Sequence, residues 1–167
     1  IISAQLIERY LPRAVANGQD VEARSQMLSA SCMAVNGYLA GLNATPVHNC
    51  AHAFGALFHI PHGDANGVFL PIVMEALPEL YIPNAERLAQ ALNMQPNGKA
   101  GAALVDDVIA RIRALQQETG CATNLQRWDV SAERLEEIVM AVATDPIAVF
   151  FPIPPEKIAE ITLKAIG

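Results

Sequence analysis

The chain has 167 residues, of which 52% are hydrophobic and 17% are charged, and its formal net charge is −6. This composition excludes intrinsic disorder, because enough apolar surface is available to offset the entropy lost on folding. The acidic balance excludes a phosphate backbone or an anionic membrane surface as the partner. No apolar run approaches the roughly 18 residues needed to cross a bilayer. We therefore expect a cytoplasmic protein that binds neither nucleic acid nor membrane.

Apolar residues recur at helical spacing along most of the chain. The first pattern is already under way at Ile2 and no initiating Met precedes it, which indicates a fragment of a longer protein. In chain order, the predicted helices are a first one that ends at the Asn17-Gly18 turn, then 20–42, 46–58, 63–76, 84–92, 99–118, 132–143 and 155–166. The only β-like run, 149–151, is followed at once by a proline. The sequence predicts an all-α fold, a single domain over 1–167 in which seven or eight helices pack as an irregular bundle.

Capping and helix-breaking residues support these bounds. Thr45 is expected to cap the third helix, and Ser131 to cap the seventh. Gly120 is expected to end the sixth helix, and Pro155 to stand at the first position of the last one. Pro71 is expected to kink the fourth helix or to fray its hydrogen bonds.

The three cysteines, Cys32, Cys50 and Cys121, are an odd number at wide spacing. They have neither the density of a secreted disulfide framework nor the pairing of a zinc ribbon. We expect them to be free, buried thiols.

Charged side chains are almost absent from one long stretch. From Ser25 to Met74 the only charged residue is Asp64. A solvated helix face normally carries Lys, Glu and Arg, so these helices are expected to form the centre of the bundle or the wall of a cleft that something else covers.

All four histidines lie within that stretch, at positions 48, 52, 59 and 62. His48 and His52 are four residues apart and share one face of the predicted third helix. His62 follows the break at Pro61, where the chain can fold back toward the same helix. Neutral imidazole is the commonest metal ligand among side chains and suits iron, zinc, copper and nickel. The pattern favours a metal site.

The competing interpretation is that each histidine is a hydrogen-bonded core or surface residue. A divalent ion usually takes at least three protein ligands, and the only acid close in sequence is Asp64. Its place near a helix start fits a role in the helix dipole as well as ligation. A Cys50-His52 nucleophile pair is disfavoured, since residues two apart lie on different sides of a helix. No glycine-rich loop follows a strand, so the chain has no nucleotide-binding motif of its own.

The runs HNCAHAFG (48–55), PHGDAN (61–66) and LP (70–71) resemble the iron-containing alcohol dehydrogenase family. That family's pattern has a His-x3-His-x2-Gly element, then Pro-His-Gly-x-Ala-Asn, then Leu-Pro. Near Asp145-Pro146 the chain departs from the Asn-Pro-Arg-like segment that the family tends to show before its last helix.

The resemblance implies that this chain is the C-terminal helical domain of the dehydroquinate synthase-like or iron alcohol dehydrogenase type. His48 and His62 match the family's metal-ligand histidines, and the metal is usually iron and sometimes zinc. His52 matches a histidine beside the nicotinamide and substrate, and we expect it to shuttle the hydroxyl proton or orient the substrate, or else to donate a hydrogen bond from outside the ligand set. His59 is expected at the periphery of the cleft or on the surface.

The same resemblance implies oxidation of an alcohol to an aldehyde or ketone, with hydride transfer to NAD or NADP. The dinucleotide and the two other metal ligands would be held by an N-terminal nucleotide-binding domain that this chain lacks, so the isolated chain is expected to be inactive. A homo-oligomer is expected from the apolar composition. Two alternatives are a catalytically inactive helical fragment and a stand-alone helical metal-binding or scaffold domain.

Overall fold

The computed structural model describes residues 1–41 and 46–167 of the chain. In those residues every regular element is helical, with no strand, as the sequence predicted. The described part contains eight α-helices: α1 (Ile2–Ala16), α2 (Val21–Gly41), α3 (Pro46–Phe58), α4 (His62–Ala76), α5 (Ala85–Ala91), α6 (Gly101–Thr119), α7 (Leu135–Ala143) and α8 (Pro155–Ile166). Five short 3-10 segments connect them: Pro78–Leu80, Ile82–Asn84, Gln126–Trp128, Ala132–Arg134 and Pro146–Phe150. The β-like run at 149–151 lies at the end of the segment Pro146–Phe150 and just after it, so it belongs to a helical turn.

The chain folds as two compact units. The first unit comprises Ile1–Gly41 and Leu77–Gly120. In it α1 packs against α2, and α5 packs against α6. Arg111 on α6 forms an ion pair with Glu8 on α1 at 2.7 Å, and this contact joins the two helices. The single-domain organisation expected from the sequence stays a prediction.

The second unit comprises Leu42–Ala76 and Cys121–Gly167. Here α3 packs on α4 and α7, while α8 packs on α4 and α7. Phe54 of α3 and Phe69 of α4 are fully buried, with ring centroids 4.8 Å apart. The amide of Leu125 donates to the carbonyl of Ala165 at 2.8 Å, which fastens the chain after α6 to α8. This unit holds all four histidines.

Most of the predicted helix caps and helix ends are confirmed. Gly120 ends α6 in the left-handed conformation with φ 66°, and Pro155 is the first residue of α8. Ser131 accepts a hydrogen bond from the amide of Glu133, although the turn that it caps is 3-10 and α7 begins only afterwards. The helical assignment of α4 continues through Pro71. The predicted cap at Thr45 lies outside the described residues.

The uncharged stretch divides into two parts with different surroundings. Its α3 and α4 part supplies much of the core of the second unit, including Phe54, Val68, Phe69 and Met74. On α2, in contrast, every residue from 31 to 37 is exposed although Ala30 is buried, so the core interpretation is wrong for residues 31–37. The interpretation of α2 as the wall of a covered cleft stays a prediction. The homo-oligomer expected from the apolar composition stays a prediction as well. Cys32 lies in this exposed part and Cys121 is half-buried, so the expectation of buried thiols is confirmed only for Cys50.

Across the residues that the structure describes, no single helix is long and apolar enough to span a bilayer. One bent pair of segments, His62–Ala76 with Pro78–Ala91, meets that test jointly by length and composition alone.

Candidate metal and catalytic site

Helix α3 places two histidine rings side by side. Pro46 suits the first position of α3, because its fixed φ is helical and its missing N–H would have no partner in the helix. His48 and His52 are one turn apart, and their ring centroids are separated by 5.8 Å. His48 is half-buried, whereas the His52 side chain is 43% exposed. The predicted shared face of α3 is confirmed.

The break between α3 and α4 brings in the third ring. His59 has φ 56°, a left-handed conformation that ends α3, and its amide still donates to the carbonyl of Gly55 at 3.1 Å. Helix α4 then begins at His62, one residue earlier than predicted. The His62 ring lies 5.1 Å from the His48 ring and 5.4 Å from the His52 ring, centroid to centroid, at interplanar angles of 17° and 26°.

The three imidazoles can each offer one nitrogen, and these nitrogens all lie within 4.8 Å of one another. Within 1–41 and 46–167 this is the one group of three or more His, Cys, Asp or Glu side chains that could share a metal ion. A zinc ion binds imidazole nitrogens at about 2.0–2.1 Å, so two nitrogens on one ion are at most about 4.2 Å apart. A small side-chain rotation would therefore let the rings share an ion. The donor set suits iron or zinc.

Burial favours the metal-binding form of His48. Burial lowers the pKa of its imidazole from the ordinary value, and the neighbouring His62 and His52 lower it further. At neutral pH the ring is accordingly neutral, which is the form of imidazole that binds a metal ion. Burial also raises the pKa of the nearby Cys50 thiol to about 12, so at neutral pH Cys50 is a thiol and no nucleophile.

The acid that reaches the cluster is not the one that the sequence indicated. Asp64 lies in the first turn of α4 and forms an ion pair with Arg127 at 3.0 Å. It is not a member of the histidine group. Asp145 instead lies with its Oδ2 3.0 Å from Nδ1 of His52. Residues 52 and 145 are 93 positions apart, so no local spacing could have joined them. Two weaker signals were present in the sequence: an Asp-Pro pair is typical of a helix or turn start, and the chain departs here from the segment that the family tends to show before its last helix.

The fourth histidine, His59, is exposed and does not belong to the group of three. Its left-handed backbone gives it a part in ending α3, and the side chain is peripheral as expected. Of the four histidines, the structure thus brings together the two predicted metal ligands and the predicted catalytic residue.

Comparison with known proteins identifies the family. The profile of the Fe-containing alcohol dehydrogenase family, C-terminal, matches residues 1–166. The chain therefore belongs to the iron-containing alcohol dehydrogenase family and corresponds to its C-terminal helical part.

Individual relatives agree with this assignment. The chain is 38% identical over 138 residues to a probable alcohol dehydrogenase, EutG, of Salmonella typhimurium, and the match covers 81% of this chain and 34% of that protein. It is 33% identical over 153 residues to the 1-propanol dehydrogenase PduQ of the same species, covering 86% of this chain and 40% of the relative. The crystal structure of a 1,3-propanediol oxidoreductase superposes with a TM-score of 0.86 at 30% identity, covering 98% of this chain and 43% of that one. The chain thus spans between a third and about two fifths of the length of these proteins.

Proposed function

We propose that this chain is the metal-binding part of an NAD- or NADP-dependent alcohol dehydrogenase that interconverts a small alcohol and its aldehyde or ketone. The observation that carries the proposal is the convergence of His48, His52 and His62, with nitrogens within 4.8 Å of one another. Family membership and the alcohol dehydrogenase names of the relatives support the reaction class.

The three rings have two different tasks in this proposal. His48 and His62, one from each helix, hold the ion through neutral imidazoles. When bound, a divalent iron or zinc ion supplies Lewis-acid activation of the alcohol oxygen, and NAD(P)⁺ supplies the hydride acceptor. His52 accepts the hydroxyl proton, because a neutral imidazole is a suitable base near neutral pH. Its exposed position leaves the ring accessible to a substrate.

Two histidines are fewer ligands than a stable site needs. We infer that the remaining ligands and the dinucleotide site belong to a nucleotide-binding domain outside this chain, and that the isolated 167 residues have no turnover. This domain and the small alcohol or aldehyde are the proposed partners. Cytoplasmic location is part of the same proposal.

Metal analysis of the full-length protein tests the ligand assignment. His48→Ala and His62→Ala should each lose most of the bound iron or zinc, because each substitution removes a direct ligand. His59→Asn is the matched control, since it removes a nearby exposed histidine outside the group, tolerates the left-handed backbone at this position and should keep the metal. Unchanged metal content in both ligand variants would refute the assignment.

His52→Ala tests the catalytic role separately. Reduction of NAD⁺ and of NADP⁺ by short primary alcohols is followed at 340 nm, with metal content measured in the same samples. Loss of a positioned general base should lower kcat by about 10²–10⁴-fold while the metal remains bound. Loss of metal from His52→Ala equal to that from His48→Ala would instead make His52 a ligand and contradict its proposed role.

A further inference from the structure

Asp145 joins the histidine cluster to a capped turn. Its Oδ1 accepts a hydrogen bond from the amide of Ile147 at 3.0 Å and so caps the 3-10 segment Pro146–Phe150. Its Oδ2 lies 3.0 Å from Nδ1 of His52. The Asp145 side chain is only 7% exposed, whereas that of His52 is 43% exposed. The carboxylate is therefore the partner that the backbone holds in place, and the histidine is the one that is open to solvent.

A carboxylate only accepts hydrogen bonds, so the His52 nitrogen that faces it must carry a proton. In the neutral ring the single proton then lies on Nδ1, and Nε2 keeps its lone pair. The contact also restricts rotation of a ring that is otherwise open to solvent. Both effects prepare Nε2, and not Nδ1, to accept a proton.

We propose that Asp145 is a positioning residue for His52, whose Nδ1–H tautomer and ring orientation it fixes so that Nε2 can take the substrate's hydroxyl proton. The inference rests on the proposed function, in which His52 performs that step. In this step the proton passes from the alcohol oxygen to Nε2, and the ring becomes an imidazolium that donates from both nitrogens. A bound NAD(P)⁺ would accept the hydride that leaves the carbon. The Asp145 carboxylate stabilises the positive ring through a charge-assisted hydrogen bond.

The substitution Asp145→Asn separates positioning from folding. The Asn oxygen can still accept from the amide of Ile147, which preserves the cap, and the side-chain volume is nearly unchanged. The NH₂ group then faces His52, so Nδ1 has to be the acceptor and the proton moves to Nε2. The favoured tautomer is thereby reversed with little change in shape.

Ser131→Ala is the matched control for loss of a cap. Ser131 accepts from the amide of Glu133 at 3.1 Å and caps the 3-10 segment Ala132–Arg134 in the same unit, with the same two-residue spacing. Asp145→Ala completes the set, because it removes both the cap and the histidine contact. An effect shared by Asp145→Ala and Ser131→Ala belongs to the turns, and an effect of Asp145→Asn belongs to His52.

The experiment uses the full-length protein with zinc, which is diamagnetic and permits NMR. Imidazole ¹⁵N shifts should show His52 protonated at Nδ1 in the wild type and at Nε2 in Asp145→Asn. We expect kcat of Asp145→Asn to fall about 10–100-fold, as for other groups that orient a catalytic residue, with KM and metal content nearly unchanged. Ser131→Ala should keep the wild-type kcat and the wild-type tautomer.

Several results would overturn the inference: an unchanged tautomer in Asp145→Asn, a wild-type kcat in that variant, or an equal loss of kcat in Ser131→Ala. Loss of zinc from Asp145→Asn would also do so, because Asp145 would then act on the metal site. These outcomes are distinct from failure of the proposed function, which would appear as a wild-type protein that oxidises no alcohol or binds no metal.

Discussion

A glycine contact in the second unit permits a quantitative test of how α4 is held. Gly67 lies inside α4, and a Cβ added there would stand 2.8 Å from Sγ of Cys121, whereas ordinary contacts begin at 3.4 Å. Gly67→Ala therefore needs a shift of 3.4 − 2.8 = 0.6 Å to restore an ordinary contact. Overpacking of this kind costs about 1–3 kcal/mol, and alanine regains about 1 kcal/mol of helix propensity over glycine. The single variant should lose about 0–2 kcal/mol of unfolding free energy.

The double variant with Cys121→Ala makes this prediction sharper. Without the sulfur the new methyl group has room, so Gly67→Ala should stabilise the Cys121→Ala protein by about 1 kcal/mol. The coupling free energy between the two sites is then about 1–3 kcal/mol. Urea unfolding of the chain can be followed by the fluorescence of its single tryptophan, Trp128. Coupling below about 0.5 kcal/mol would be ordinary additivity and would refute the argument that Cys121 limits the approach to α4.

Two further predictions concern groups with shifted pKa values. At pH 8 in the native chain, Cys50 should resist alkylation until urea is added, because burial raises its pKa to about 12. The exposed Cys32 should react without urea in the isolated chain. Mass spectrometry locates the label, and labelling of Cys50 in the native protein would contradict its burial. The Arg111 guanidinium lowers the pKa of the Glu118 carboxyl. The pair therefore stabilises the fold at pH values above the pKa of this carboxyl in the unfolded chain. That stabilisation is lost as the pH falls through the lower pKa of the folded chain. Arg111→Met should therefore be less stable than the wild type at pH 7, with a difference in unfolding midpoint that shrinks on acidification below pH 4.5; a constant difference would contradict the linkage.

Helix periodicity predicted the elements well because apolar faces are local properties of the sequence. The bounds of α3 agree with the structure at both ends, and those of α4 differ by one residue at the start. Gly120 was recognisable as a helix end because a left-handed residue favours glycine. The 3-10 segment before α7 was missed, since a Ser cap is compatible with either kind of turn.

The environment of α2 shows what composition cannot decide. Charge is absent from Ser25 onward in this helix, yet Leu28, Met33 and Val35 are exposed. An apolar face that is buried in the core and one that is covered by another polypeptide have the same composition, because both must avoid the cost of desolvating charge. The sequence could predict that this face should be covered, but not by what.

Some features of the histidine site depend on residues that are close in sequence, and others depend on distant residues. Three rings can meet because α3 sets two of them one turn apart and a three-residue break, with His59 in a left-handed conformation, sets the third. All of this lies within fifteen residues, so their spacing favoured a metal site, and the family resemblance then singled out His48 and His62 as its ligands. The carboxylate that orients His52 comes from a turn 93 positions later, and its approach depends on α3 packing against α7 and on the turn that follows α7. Since the tautomer of an imidazole is set by the group that faces it, the atom of His52 that can accept a proton is a property of the folded unit and not of the motif.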